Sequence, residues 1–129
     1  MKKKILIVCA NYYKDIAKGL IGSAIKFIPR INKVKIIEVP GTFEIPIVIS
    51  RNINKYDAFL ALGCVIKGKT PHFDFISQAS TNAIMDLSII NNKPIGNGII
   101  TCLNMRQAKA RKKKGAEAAQ AVISILSQK

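Results

Sequence analysis

Residues 58–75 read AFLALGCVIKGKTPHFDF. From Ala58 to Ile66 every residue is apolar or glycine, with no polar alternation. A strand buried on both faces reads this way, and such strands belong to parallel sheets covered by helices on each side. The punctuation that follows is equally informative. Gly68 lets the backbone turn, Thr70 is a good N-cap, and Pro71 suits a first helical position because its missing N–H would be unpaired anyway. Asp74 then complements the positive end of the helix dipole. The stretch therefore predicts a strand-to-helix junction, and His72, the one histidine of the chain, sits in it.

Working outward, three further apolar runs recur: KILIVC (4–9), VKIIEV (34–39) and IGNGIITC (95–102). Most are apolar on both faces, so they read as more strands of the same sheet. Segments of helical period lie between them. Residues 14–28 place Ile16, Leu20, Ala24 and Phe27 on one stripe, closed by Pro29. A short helix over 43–54 holds Ile45, Val48 and Ile49. Residues 71–90 put Phe73, Ile76, Ala83, Ile84 and Leu87 at helical spacing. Two last helices are expected over 104–112 and 115–127. Strands alternating with helices imply right-handed βαβ units. The expected fold is α/β: a three-layer, doubly wound, flavodoxin-like arrangement with a four-stranded parallel sheet flanked by helices on both faces. No repeat, linker or low-complexity tract interrupts residues 1–129, which read as a single domain.

Composition narrows the function classes. Seven acidic residues face 21 basic ones, for a formal charge of +14. Such a charge first suggests nucleic acid. Yet the lysines are scattered, and Lys, Ile and Asn are what AT-rich codons supply, so nucleic-acid binding is not expected as the main role. Cys9, Cys64 and Cys102 are odd in number and lack metal or disulfide spacing, which points to small buried hydrophobes in a reducing, cytoplasmic setting. With one histidine and no ligand spacing, no metal site is expected. The basic start and short apolar run break at NYYKD (11–15), unlike a signal peptide. No segment approaches the ~18–20 apolar residues of a membrane span.

In doubly wound folds ligands bind beyond the carboxyl ends of the strands. Four junctions fall there. At KGKTPH (67–72) the free N–H groups of a helix start, with Lys67, Lys69 and Thr70, form an anion site beside an acid/base imidazole. The alternative is an exposed histidine beside a routine cap. At VPGTFE (39–44), Thr42 can cap the next helix, and Glu44 can bind the hydroxyls of a polyol; alternatively the Glu only answers the dipole. At ANYYKD (10–15) one tyrosine can stack on a planar ring, or both pack on the following helix.

Taken together these junctions resemble the lumazine synthase family. The carrying stretches are VPGTFEIP, YDAFLALGCVIKGKTPHFDF, KPIGNGIIT, QAKAR and KKGAEAA, in family order from Ile5 to Leu126. The resemblance implies the penultimate step of riboflavin biosynthesis. There 5-amino-6-(D-ribitylamino)uracil condenses with 3,4-dihydroxy-2-butanone 4-phosphate to 6,7-dimethyl-8-ribityllumazine, phosphate and water, with no cofactor. It implies that Tyr12 stacks on the pyrimidine and that Thr42 and Glu44 bind the ribityl chain, with Phe43 between them. Val65, Ile66 and Lys67 match the segment whose backbone meets the pyrimidine. Lys69 and Thr70 match the phosphate-binding turn, His72 the acid/base histidine and Arg111 the phosphate-binding arginine. Lys114 is a looser match to a second cation.

The chain also departs from the pattern. Asn97 stands where the family often has Phe, at a position that reaches the site from a neighbouring subunit. Tyr13 replaces a common Asn, and Lys67 replaces Arg. The start is short and the loop between Arg111 and Lys114 is trimmed, which favours an isolated homopentamer with shared sites over a sixty-subunit shell. Two rival readings are an archaeal-type riboflavin synthase, for which TPHFD is no clear match, and a basic flavodoxin-like binding module without catalysis.

Overall fold

The computed structural model describes residues 2–128; the end residues of the expected 1–129 domain, Met1 and Lys129, lie outside the described residues. The first apolar run forms β1 (Lys4–Ala10), and its alternation creates two cores. Ile5, Ile7 and Cys9 enter one, Leu6, Val8 and Ala10 the other, and all are buried. The other strands are β2 (Lys33–Val39), β3 (Ala58–Ile66) and β4 (Ile95–Cys102). All pair in parallel, in the order β2-β1-β3-β4. That order matches the doubly wound pattern expected from the alternation of elements.

Helices α1 (Lys14–Phe27) and α5 (Lys114–Leu126) cover one face, with Ala108 of α4 (Met105–Ala110) in the same core. Helices α2 (Ile45–Arg51) and α3 (His72–Asn91) supply Ile45, Ile49 and Ile84 to the other. The close fit of α5 explains the glycine at 96: a Cβ there would run into the carbonyl of Ala118 and the side chain of Leu60.

Several details differ from the sequence expectations. Phe27 is not on the buried stripe of α1; it is 42% exposed, and Ile28 just past the helix fills the core instead. Helical spacing alone would put Phe27 with Ile16 and Leu20, but the chain leaves the helix at Ile28, whose extended backbone (φ −68°, ψ 125°) carries its side chain into the core in place of Phe27. β2 is an edge strand with Val34 and Ile36 partly in solvent, so it is not apolar-covered on both faces. The expected helix over 43–54 splits into a 3₁₀ turn, Thr42–Glu44, and α2, which stops at Arg51. α4 ends at Ala110, two residues short of the expectation, and starts one residue late because Asn104 caps it: its Oδ1 accepts from Gln107 N (2.9 Å), and Gln107 Oε1 accepts from Leu103 N (2.8 Å). That reciprocal pair satisfies orphan amides at the helix start and fixes where it begins.

No helix among the described residues is long and apolar enough to cross a membrane. All three cysteines are buried, two of them in β1 and β3 and one at the end of β4.

One lysine is built into the fold. Lys93 Nζ donates to the carbonyls of Ile53 (2.6 Å) and Tyr56 (2.9 Å), tying the loop after α2 to the entry of β4. Hydrogen bonds to a charged group contribute roughly 1.5–3 kcal/mol, and removing the ammonium leaves two carbonyls without it. Lys93→Met should therefore lower stability by about 2 kcal/mol in urea unfolding at fixed chain concentration. The neighbouring exposed Lys55 makes no such bonds, and Lys55→Met should stay within about 0.5 kcal/mol.

Candidate active site

At the carboxyl edge of the sheet β3 outruns β1. Their pairing ends at Cys9↔Leu62, while β3 continues beside β4 to Ile66↔Cys102. The space left where β1 has turned away is a cleft of about 630 Å³. Tyr12, Tyr13, Gly41, Thr42, Phe43, Glu44, Cys64, Val65, Ile66, His72 and Ile76 line it. Three connections converge here, after β1, β2 and β3, as expected where a doubly wound sheet reverses its strand order.

Each contribution has a local cause. Tyr12 follows β1 directly and is 74% exposed, with its ring set edge-on to Tyr13 (centroids 4.9 Å, 85°). One face of Tyr12 is therefore open for a planar ligand. Tyr13 is half-buried, and its phenol is pushed above the usual range by burial first, then by the Cys64 thiol and Tyr12. Thr42 does not cap a helix as the sequence suggested. It opens the 3₁₀ turn after Gly41, is nearly buried, and its hydroxyl stands 3.1 Å from where a Cβ on Gly63 would lie. Tying Thr42 to β3 in this way leaves Glu44 half-exposed at the cleft, at the start of α2.

The wall formed by β3 offers backbone as well as side chains. Lys67 N donates to the Cys102 carbonyl (2.8 Å), so the Lys67 amide belongs to the sheet. Backbone groups alternate sides along a strand, which turns those of Ile66 toward the side that β1 has vacated. Ile66, rather than Lys67, can thus offer its amide and carbonyl to a ligand.

The junction after β3 is also shifted by one residue. Pro71, near-helical at φ −71° and ψ 4°, occupies the cap position, and α3 begins at His72. Thr70 Oγ1 accepts from His72 N at 3.4 Å, a long contact, so the expected Thr70 cap is weak. His72 is exposed at the cleft mouth. Lys67, Lys69 and Thr70 lie on an exposed loop and line neither this cleft nor the next.

A second cavity of about 610 Å³ lies along the outer edge of β4. Asn97, Ile99, Ile100, Thr101, Ala110, Arg111, Lys113, Lys114 and Glu117 line it. Arg111 Nη1 donates to the Thr101 carbonyl (3.2 Å), which anchors one arm of the guanidinium. Lys114 faces Glu117 at 3.7 Å, and Asn97 Oδ1 accepts from Ile99 N (3.0 Å). The expected site residues thus fall into two sets within one chain: Tyr12, Thr42, Phe43, Glu44, Val65, Ile66 and His72 around one cavity, Asn97, Arg111 and Lys114 around the other. Sequence reading did not single out Gly41, Ile76, Thr101 or Lys113, and it took Cys64 for a plain core residue. Only the helical spacing of Ile76 from His72 carried a signal.

A cleft with an open aromatic face, a hydroxyl, a carboxylate and an imidazole at the carboxyl edge of a parallel sheet defines an α/β enzyme that handles a small polar ring compound. The family model for 6,7-dimethyl-8-ribityllumazine synthase matches residues 2–129. The chain is 40% identical over 137 residues to the 6,7-dimethyl-8-ribityllumazine synthase of Methylorubrum extorquens strain PA1, covering 96% of this chain and 79% of that protein. It is 40% identical to the enzyme of that name from Agrobacterium fabrum, covering 99% and 95%, and 36% identical to that from Cutibacterium acnes, covering 96% and 80%. The chain belongs to the 6,7-dimethyl-8-ribityllumazine synthase family, and is a transferase.

Burial holds the thiols of Cys9 and Cys64 up to about 12, reinforced by the Glu38 carboxylate for Cys9 and by Cys102 for Cys64. An unfolded chain ionises such thiols near ~8.5. The folded state therefore binds these protons more tightly, and stability falls as pH rises from about 9 toward 12. The melting temperature should drop between about pH 8.5 and 10.5, and less steeply in Cys9→Ala than in the parent. Parallel slopes would mean that the thiols do not drive the loss.

Proposed function

We propose that residues 1–129 act as one catalytic domain whose complete site is assembled from two neighbouring chains. In this reading Tyr12 stacks on the pyrimidine of 5-amino-6-(D-ribitylamino)uracil. Thr42 and Glu44 hold the ribityl hydroxyls, Phe43 closes the cleft between them, and the wall from Val65 through Ile66 to Lys67 meets the ring edge. His72 moves protons during imine formation, phosphate elimination and ring closure. Arg111, with Lys114, binds the phosphate of 3,4-dihydroxy-2-butanone 4-phosphate, aided by Lys69 and Thr70 at the cleft mouth. Asn97 reaches the ring from the neighbouring chain. The chemistry needs no metal or redox group, because each step is a condensation, an elimination or a proton transfer.

One observation carries the reading: His72 and Arg111 line different cavities of the same chain. A reaction that joins a ring amine to a phosphorylated ketone needs both groups at one place. A second copy can supply the missing half if contacts run head to tail and close into a ring. Apolar surface favours such contacts. Phe43, Ile47 and Phe75 are each more than half exposed, and a groove of about 390 Å³ runs between α2 and α3 beside Phe43 and Ile47. The short turn between α4 and α5 leaves little loop to build a larger shell, which favours a pentamer. Buried free thiols fit a reducing, cytoplasmic location.

His72→Ala should fold normally, because the side chain is exposed and leaves no core cavity, and should slow lumazine formation by up to about 10²–10⁴-fold. Arg111→Ala should raise KM for the phosphorylated substrate about 10–100-fold with little change for the pyrimidine, the loss of one charge-assisted pair. Fluorescence of the lumazine product reads both, and an equal loss for both substrates would assign Arg111 to the fold instead.

Mixing the two variants tests the assembly. Co-assembled rings of His72→Ala and Arg111→Ala chains should recover about one quarter of wild-type activity, since a quarter of neighbour pairs place an intact His72 beside an intact Arg111. Light scattering should give a mass of about five chains. An active monomer, or no recovery on mixing, would overturn the shared site.

A further inference from the structure

The short turn between α4 and α5 carries the cations of the second cavity, and its position is set from α1. Ser23 Oγ donates to the Lys112 carbonyl (2.8 Å) and accepts from Ala116 N (3.1 Å). Its third contact is the Leu20 carbonyl of its own helix (3.1 Å), a bond an exposed helical serine could also make. Ala116 N is one of the orphan amides of the first turn of α5. The residue at the α5 cap position, Lys113, makes no side-chain cap bond, so Ser23 caps α5 from another helix. The Lys112 carbonyl is likewise left with little, since its one backbone bond, from Gly115 N, is long at 3.4 Å. One part-buried hydroxyl thus joins both ends of the turn.

The packing around this hydroxyl is tight enough to transmit its position. A Cβ on Gly115 would run into the Leu20 carbonyl and stand 2.6 Å from Ser23 Oγ. A Cβ on Gly19 would run into the side chain of Lys112. The turn therefore rests directly on the α1 backbone between Gly19 and Ser23. Arg111 precedes Lys112, and Lys114 precedes the Gly115–Ala116 pair, so both side chains leave the turn at its pinned points. The Arg111 guanidinium is held at its far end by the Thr101 carbonyl. A turn that shifts at Lys112 draws that guanidinium off its anchor.

We propose that Ser23 is a positioning residue for phosphate recognition: it fixes the Arg111–Lys114 turn so that both cations point into one cavity. This rests on the reading that Arg111 binds the phosphate of the four-carbon substrate. Ser23 itself touches no substrate. Both bonds are made by one atom at a tight seam, which calls for a small side chain whose single polar atom donates and accepts at once, as a hydroxyl does. An alanine there would leave a carbonyl and an amide unsatisfied at a part-buried seam.

The test uses the assembled enzyme and compares Ser23→Ala, Ser23→Thr and Arg111→Ala. KM is measured for each substrate, with inhibition by inorganic phosphate and the melting temperature. Ser23→Ala should raise KM for the phosphorylated substrate, and weaken phosphate inhibition, by about three- to tenfold, the scale of one lost hydrogen bond. KM for the pyrimidine should stay within about twofold, the scale of an untouched site. Ser23→Thr keeps the hydroxyl and should behave as wild type. If Ser23→Ala fails to assemble, Ser23→Cys, a weak donor and acceptor of similar size, should shift the same constants in the same direction. A lower melting temperature with unchanged phosphate constants, or equal changes for both substrates, would overturn the role of Ser23. Should Arg111→Ala raise the phosphate constants while Ser23→Ala leaves them alone, only Ser23 is refuted. Should Arg111→Ala leave them alone, the reading of Arg111 fails and the role of Ser23 goes with it.

Discussion

Everything at the candidate site depends on β3 extending past β1. While the two strands pair, side chains on each face have helices to bury them, and the sheet is closed to solvent. Beyond Leu62 the β1 side of β3 loses its partner, and the chain after β1 turns away through Tyr12 and Tyr13 into α1. The result is a strand end with one satisfied edge, held by β4, and one open edge. An open edge at this depth must meet polar groups or a ligand, since unpaired backbone groups away from water are costly. The turn after β2 and the start of α3 close in on the same place. In the proposed function it is the pyrimidine edge that would offer to β3 the hydrogen bonds that β1 no longer supplies.

The other edge of the sheet is used differently. β4 has no strand beyond it, and its outward backbone groups are met by side chains, Ile99 N by Asn97 and the Thr101 carbonyl by Arg111. These bonds protect an exposed edge from pairing with another chain. They also hold an asparagine and an arginine at fixed points along it. The cations there owe their placing to two anchors of different origin, a strand carbonyl at the guanidinium and a helix hydroxyl beneath the turn. The single ion pair among the described residues, Lys114 with Glu117, is also at this edge, so most of the positive charge of the chain has no carboxylate partner within it. That charge is an attractive field for anionic substrates, screened as salt rises.

Burial divides the reactive groups by task. All three thiols are buried in the sheet, and burial keeps those of Cys9 and Cys64 protonated, so they act as apolar volume even where Cys64 borders the cleft. The imidazole and the carboxylate of Glu44 stand at the mouth, in contact with water, where protons can enter and leave.

The order of elements was legible from the sequence because burial on both faces leaves an apolar run in β1 and β3, and even the edge strands β2 and β4, which are exposed on part of their length, keep enough Ile and Val to be read as strands. Ala58–Ile66 and Ile95–Cys102 appear as strands with the limits read from the sequence. The grouping of Tyr12, Thr42, Glu44 and His72 was legible too, since all follow strand ends and parallel strands bring those ends to one edge. The misreadings arose where a local rule met a tertiary contact. Phe27 has helical spacing close to the stripe, yet the core was filled by Ile28. Thr42 has the chemistry of a cap, yet packing against Gly63 buries it in a 3₁₀ turn. Thr70 and Pro71 fit a helix start, yet the helix begins one residue later. What only the tertiary structure decided is the separation of His72 from Arg111 and the use of Ser23. Periodicity records which face of an element is apolar, but not which helix lies beside which across roughly ninety residues of chain. A serine on a helix looks the same in sequence whether it faces water or caps another helix, because its partners are backbone groups that every residue carries.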